Sequence, residues 1–362
     1  MKLGLGLYRH QLNDDYFRFA AQAGCEALVI HLVDYFNQGG VNTAKDQPTG
    51  DLAGWGRAGD PEKLWEEDFL RDVVKRAGAH GLKIAAIENF DPAHWSDVLL
   101  DGPRKAQHLE NVKTIIRRMG AAGIPCMGYN FSLAGVAGRV RGHFARGGAE
   151  AVGMDGPVDD PVPEGMVWNM RLGERVGPGL MPPCTPGELW RRLEDFLHAV
   201  LPVAEASGVV LAAHPDDPPM PTIRSTPRLV YQPQLYQKLI DLAPSPANRL
   251  EYCLGSLAEM TEGDLYAHTE NYARQGRIGY VHFRNVTGKV PTYKETFVDD
   301  GDIDMLRIVQ ILHRNNFQGV IIPDHAPQMT CAAPWHAGMA FALGYMRAAL
   351  QAVTREPVST TT

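Results

Sequence analysis

His214 closes the apolar run Val209-Val210-Leu211-Ala212-Ala213 and is followed at once by the rigid turn Pro215-Asp216-Asp217-Pro218-Pro219. A polar side chain is thereby delivered where a buried strand gives way to a loop. The arrangement recurs: Cys253 follows Arg249-Leu250-Glu251-Tyr252, His282 follows Ile278-Gly279-Tyr280-Val281, and Asp324 follows Val320-Ile321-Ile322-Pro323. Singly, each has an ordinary reading: a histidine capping a strand or sitting in a core, a buried free thiol, an aspartate closing a loop. Together they form a ligand set, because neutral imidazole, thiolate and carboxylate share a divalent ion readily and leave coordination positions open for a substrate. One metal site built from His214, Cys253, His282 and Asp324 is therefore expected.

Residues so far apart in sequence need a scaffold that gathers strand ends. Short apolar runs alternate with longer segments of helical periodicity: Lys2 to Leu7 then Asp14 to Ala23, Ala27 to Leu32 then Pro61 to Ala79, Lys83 to Ile87 then Pro103 to Ala122. The pattern continues through Cys126 to Asn130, Pro186 to Ser207, Val209 to Ala213, Gln234 to Leu242, Leu250 to Cys253, Leu265 to Gln275, Ile278 to Phe283, Asp304 to Asn315, Gly319 to Pro323 and Trp335 to Val353. This is βαβα patterning repeated eight times. It predicts an α/β fold, a (β/α)8 TIM barrel with long loops over the C-terminal mouth, since eight parallel strands joined by crossover helices close without an exposed edge. A doubly wound sheet is the rival, weakened by the lack of a GxGxxG turn after the first strand. In a barrel the groups after strands five to eight line one mouth.

The 362-residue chain has ample apolar content for a large core, and a single barrel domain over residues 1–355 is expected, with insertions at about 34–60 and 131–185 and a disordered tail at 356–362. Loops as long as the two insertions usually carry function or disorder. Both suit lids over the mouth or contacts between copies in a homo-oligomer. A formal charge of −7 gives no general attraction for nucleic acid or an anionic membrane. Five widely spaced cysteines without a CxxC pair suit a reducing, cytoplasmic setting, and no stretch approaches the roughly 18 apolar residues of a membrane span.

From Trp190 onward the chain resembles the mannonate dehydratase family. The words that carry the likeness include Leu193-Glu194-Asp195-Phe196-Leu197, His214-Pro215-Asp216-Asp217-Pro218-Pro219, Pro227-Arg228-Leu229-Val230, Cys253-Leu254-Gly255-Ser256-Leu257, Val281-His282-Phe283-Arg284-Asn285-Val286, Gly301-Asp302-Ile303-Asp304-Met305 and Pro323-Asp324-His325. Ile87-Glu88-Asn89 and the passage from Asn111 to Phe131 add to it, whereas the first eighty residues add little. The resemblance implies a metal-dependent, xylose-isomerase-like barrel that removes water from D-mannonate or a related aldonate to give 2-keto-3-deoxy-D-gluconate. It also implies Mn²⁺ or Fe²⁺ on the four ligands already singled out, although a thiolate suits Zn²⁺ as well.

For a sugar-acid substrate, Arg228, Arg284 and Lys294 are candidates to hold the carboxylate, against a plain role in salt bridges. Asn89 and Asn130, at the ends of the third and fourth strands, could hydrogen-bond hydroxyls or simply form turns. His31 ends the second strand and is expected to face the pocket. His325, an imidazole beside a ligand, is the first choice for general acid or base. The chain departs from the family where it reads Ile322-Pro323-Asp324-His325-Ala326 in place of Arg-Pro-Asp-His-Gly, Lys294-Glu295 in place of a His-Glu pair, and Trp335-His336-Ala337-Gly338-Met339 in place of a run containing a catalytic tyrosine. His336 is the candidate to stand in for that tyrosine. The loss keeps two other readings open: a metal-dependent sugar isomerase or epimerase on the same barrel, and a metal-binding protein without catalysis.

Overall fold

The computed structural model describes residues 1–37, 47–48 and 54–354. The tail expected to be disordered, 356–362, and part of the 34–60 insertion lie outside the described residues. Eight parallel strands close a barrel in sequence order: β1 (Lys2–Leu7), β2 (Ala27–Ile30), β3 (Lys83–Glu88), β4 (Cys126–Tyr129), β5 (Val210–Ala213), β6 (Asn248–Cys253), β7 (Ile278–His282) and β8 (Val320–Ile322), with β8 returning to β1. The expected fold class is the observed one.

Strand alternation explains how the barrel fills. Leu28 and Ile30 of β2 pack outward into the large core shared with the helices, while Ala27 and Val29 point inward with Ala86, Cys126, Ala212, Tyr280, Val320 and Ile322. Inward and outward residues alternate because successive side chains of a strand face opposite sides. The outer ring comprises α1 (Asp14–Gln22), α2 (Glu67–Gly78), α3 (Pro92–Leu100), α4 (Lys105–Ala121), α5 (Pro186–Ala206), α6 (Leu235–Leu242), α7 (Leu254–Glu259), α8 (Leu265–Arg274), α9 (Met305–Arg314) and α10 (Pro334–Thr354). Local chemistry sets several starts. The Asn13 side chain accepts from the Asp15 and Tyr16 amides at 3.1 and 3.3 Å, and Thr185 with Glu188 forms a capping box ahead of Pro186. Two helices carry no clear signal of their own in the sequence. α3 is buried along most of its length and so lacks an amphipathic signal, and α7 follows β6 without any intervening loop.

Register aligns the strand ends that matter. Cys253 on β6 is the partner of His282 on β7, which in turn is the partner of Ile322 on β8. Over the mouth lies a four-stranded antiparallel sheet in the order Val286–Lys289, Thr292–Glu295, Ala149–Asp155, Arg139–Ala145. Half of it comes from the 131–185 insertion and half from the stretch after β7, and the register Lys294 with Gly153 joins the halves. The backbones meet tightly there, since a Cβ on Gly153 would come within 2.6 Å of the Tyr293 carbonyl oxygen.

Candidate active site

β5, β6 and β7 bring three ligand-type groups together. One side-chain donor atom each from His214, Cys253 and His282 falls within 4.8 Å of the others. His214 Nδ1 donates to the Pro215 carbonyl at 2.6 Å, which fixes the tautomer and frees Nε2. Cys253 Sγ is fully buried and accepts from Ser256 Oγ at 3.2 Å and from Arg284 Nη2 at 3.4 Å. Burial alone would raise the thiol; Arg284 and the two histidines overcome that and hold it well below its ordinary value. For His214 burial again works against charge, and the Cys253 hydrogen bond together with Glu251 outweighs it, pushing the ring up to about 9.

His282 is gripped from below. Its Nε2 lies 3.1 Å from Glu88 Oε2 and 3.2 Å from Glu251 Oε1, both on buried carboxylates inside the barrel. Burial opposes ionisation of Glu88, but His31 and His282 bring it down to about 2. Glu251 is driven the other way, first by burial and then by the Glu88 charge, well above the usual carboxylate range. Carboxylates behind a ligating histidine fix its orientation and raise its basicity. His282 Nδ1 then faces the Cys253 side, buried and without a hydrogen-bond partner, 3.5 Å from Asp324 Oδ2. That orphaned nitrogen, the Cys253 sulfur and the Nε2 of His214 fit a divalent cation, which would displace a proton from each histidine. Asp324 stands at the edge of the triad. Its backbone is left-handed, with φ of 63°, and Oδ2 also accepts from Arg284 Nε at 3.2 Å.

The cluster opens onto a cavity at the mouth of the barrel. His31, Asn89, Asn130, His214, His282, Asp324 and His325 line it, with Tyr8, Tyr35, Trp55 and Trp168 supplying aromatic walls. Asn89 Nδ2 donates to Tyr35 Oη at 3.1 Å, and His31 Nδ1 meets the same oxygen at 3.1 Å. Asn130 Oδ1 is buried with no partner. His325 Nδ1 donates to Glu295 Oε1 at 3.2 Å, and its Nε2 sits 3.4 Å from Asp324 Oδ1.

Four expectations need correcting or refining. Arg228 does not line the cavity: its guanidinium pairs with Asp216 and donates to Ser132 Oγ and to the Gly135, Asp217 and Pro218 carbonyls, stapling the turn after β5 to the 131–185 insertion. Lys294 alternates to the exposed side of its strand and lies over the Phe144 ring, while its neighbour Glu295 turns in. His336, in the first turn of α10, is held among Tyr16, Phe19 and Trp335 by ring contacts at 5.4, 4.8 and 5.0 Å, away from the cavity. Arg284 is behind the ligands, bonded to Glu259, Glu295, Asp217 and Asp324, so it organises them without reaching the cavity wall.

Sequence reasoning missed Glu251, Asp217 and Arg139, all of which line the cavity, and Glu295 as the partner of His325. Glu251 had a readable signal, an acid two positions before Cys253 and therefore on the same strand face. Arg139 had none, since its strand lies inside a Gly- and Pro-rich insertion.

Comparison with known proteins bears directly on this site. The D-mannonate dehydratase (UxuA) family model matches residues 184–355, the part that carries β5 to β8. A mannonate dehydratase of Streptococcus pneumoniae (strain 70585) is 33% identical over 303 residues, which cover 80% of this chain and 78% of the relative. The chain belongs to the mannonate dehydratase family. Membership makes it an enzyme of the hydro-lyase class. Mannonate dehydratase from Geobacillus thermodenitrificans (strain NG80-2) is 29% identical over 288 residues, 73% of this chain and 76% of the relative. The crystal structure of mannonate dehydratase from Streptococcus suis serotype 2 superposes with a TM-score of 0.73 at 26% identity, covering 100% of this chain and 98% of that one. An L-ribulose 3-epimerase, at 14% identity and a TM-score of 0.57 over 97% of this chain and 95% of its own, shares the fold alone. Among the described residues no helix is long and apolar enough to cross a membrane.

Proposed function

We propose that this protein dehydrates D-mannonate, or a closely related aldonate, to a 2-keto-3-deoxy acid with the help of a divalent ion held by His214, Cys253, His282 and Asp324. The observation that carries the reading is the opening of the His214, Cys253 and His282 cluster onto a cavity also lined by His325, inside a mannonate dehydratase fold. An ion there supplies Lewis-acid stabilisation for charge that develops on substrate oxygens.

The rest falls to the chain. Loss of water requires removal of the proton beside the carboxylate and protonation of the departing hydroxyl on the next carbon. His325 moves one of these protons. Glu295 takes its Nδ1–H and leaves Nε2 toward Asp324 and the cavity, which is the division of labour a general acid or base needs. Tyr35 is the second proton carrier. Burial and the nearby Glu88 charge push its hydroxyl well above the ordinary tyrosine range, so it enters the reaction protonated. Asn89 and Asn130 turn amide groups to the sugar hydroxyls, and the aromatic walls limit water.

The proposal extends to Mn²⁺ or Fe²⁺ as the metal, with Zn²⁺ as the competitor, and to a cytoplasmic homo-oligomer. Five free cysteines support the reducing compartment. The test is direct: metal-loaded protein is incubated with D-mannonate and a panel of aldonates, and 2-keto-3-deoxy acid is assayed with and without chelator. Product that forms with metal and vanishes with chelator supports the reading. Interconversion of neutral sugars without loss of water would replace it with an epimerase.

A further inference from the structure

We infer that Arg139 is the anchor for the substrate's carboxylate, so that the sheet over the mouth, not the barrel, selects an acid sugar over a neutral one. The inference rests on the aldonate reading above and adds the residue that recognises the anionic end.

Among the described residues, Arg139 is the one arginine or lysine that lines the cavity. It stands at the start of the outermost cover strand, and only 6% of its surface is exposed. Its Nη1 donates to Glu295 Oε1 at 3.3 Å and lies 3.8 Å from Asp217 Oδ2, while its Nε is buried with no hydrogen-bond partner. A guanidinium carries five N–H donors in a planar fork, and a buried donor left without an acceptor is costly. A ligand carboxylate is the acceptor that such a fork fits, through paired, charge-assisted hydrogen bonds.

The sharing of the Arg139 acceptor points the same way. Arg139, Arg284 and His325 all converge on the single oxygen Glu295 Oε1, at 3.3, 3.1 and 3.2 Å. That one oxygen is divided among three donors and does not satisfy the Arg139 fork, whose Nε stays without an acceptor. Among the described residues no other arginine or lysine lines the cavity: Arg228 is committed to the turn after β5, Arg284 is sealed behind Cys253, and Lys294 faces outward. A neutral sugar offers hydroxyls to Asn89 and Asn130 but nothing to match Arg139.

Trp55 and Trp168 line the same cavity, so intrinsic fluorescence reports occupancy independently of turnover. Metal-loaded full-length protein is titrated with D-mannonate and with D-mannitol, its neutral alditol, in wild type, R139Q and R139K. The expected result is a wild-type preference for the acid on the order of 100-fold, abolished in R139Q with mannitol affinity unchanged, and partly kept in R139K. A preference that survives in R139Q overturns the inference, and so does an equal weakening of both ligands, which marks a structural role. The two readings fail separately. Acid preference that depends on Arg139 in a protein that dehydrates no aldonate sinks the dehydratase proposal alone, whereas D-mannonate turnover with unchanged KM in R139Q sinks the anchor alone.

Discussion

Glu295 Oε1 accepts the Nδ1–H of His325 at 3.2 Å, and the two residues come from different layers: Glu295 from the cover sheet, His325 from the loop that follows β8. Closing the mouth and aiming the proton carrier are therefore one structural event. Replacing His325 with Gln is expected to lower kcat by about 10² to 10⁴, the usual span for a lost general acid or base, with bound metal unchanged by elemental analysis. E295Q is expected to give a smaller loss of kcat, with H325Q/E295Q no worse than H325Q. A double variant clearly slower than H325Q would show that Glu295 acts apart from His325.

The cluster at the ends of β5, β6 and β7 predicts a metal requirement with a measurable hierarchy. Chelation should remove activity, and Mn²⁺ should restore it. C253A should strip the ion outright, whereas E88Q, which loosens His282 from behind, should weaken metal affinity by roughly 10- to 100-fold without removing a ligand. Competition against a fluorescent chelator measures both. Full metal occupancy in C253A would take Cys253 out of the site.

Arg228 should matter for folding and not for chemistry. R228M loses the buried pairing with Asp216 and four further hydrogen bonds and leaves Asp216 only the Leu229 and Val230 amides, so it is expected to cost about 3–5 kcal/mol in denaturant unfolding. The activity of the remaining folded fraction should stay near wild type.

His336 and Lys294 supply the opposite test. The first is packed against α1 through Tyr16 and Phe19, and the second lies outside over Phe144, so H336A and K294A should leave kcat and KM for D-mannonate within about twofold, as surface or peripheral changes usually do. A large loss of kcat in H336A would reinstate it as the stand-in for the absent tyrosine.

Much of the fold was legible because the signals were local. Each barrel strand is a short apolar run, each crossover helix has its own period, and His214, Cys253 and His282 stand at strand ends where a barrel must gather them. What stayed hidden depends on long-range pairing. The cover sheet joins Ala149–Asp155 to Thr292–Glu295, segments whose pairing no local pattern announces, and with it came the placement of Arg139 and Glu295. Arg228, Lys294 and His336 had suitable chemistry, but their orientations were decided by a turn, a strand face and an aromatic neighbour.

Glu88, Glu251 and Tyr280 fill the level of the barrel beneath His282, where hydrocarbon would pack at no electrostatic cost. Selection for heat resistance alone would repack that level with branched aliphatic side chains, and the barrel would gain in robustness as it fell silent. Attempts to harden this enzyme should therefore spare its interior acids and turn to the outer helices.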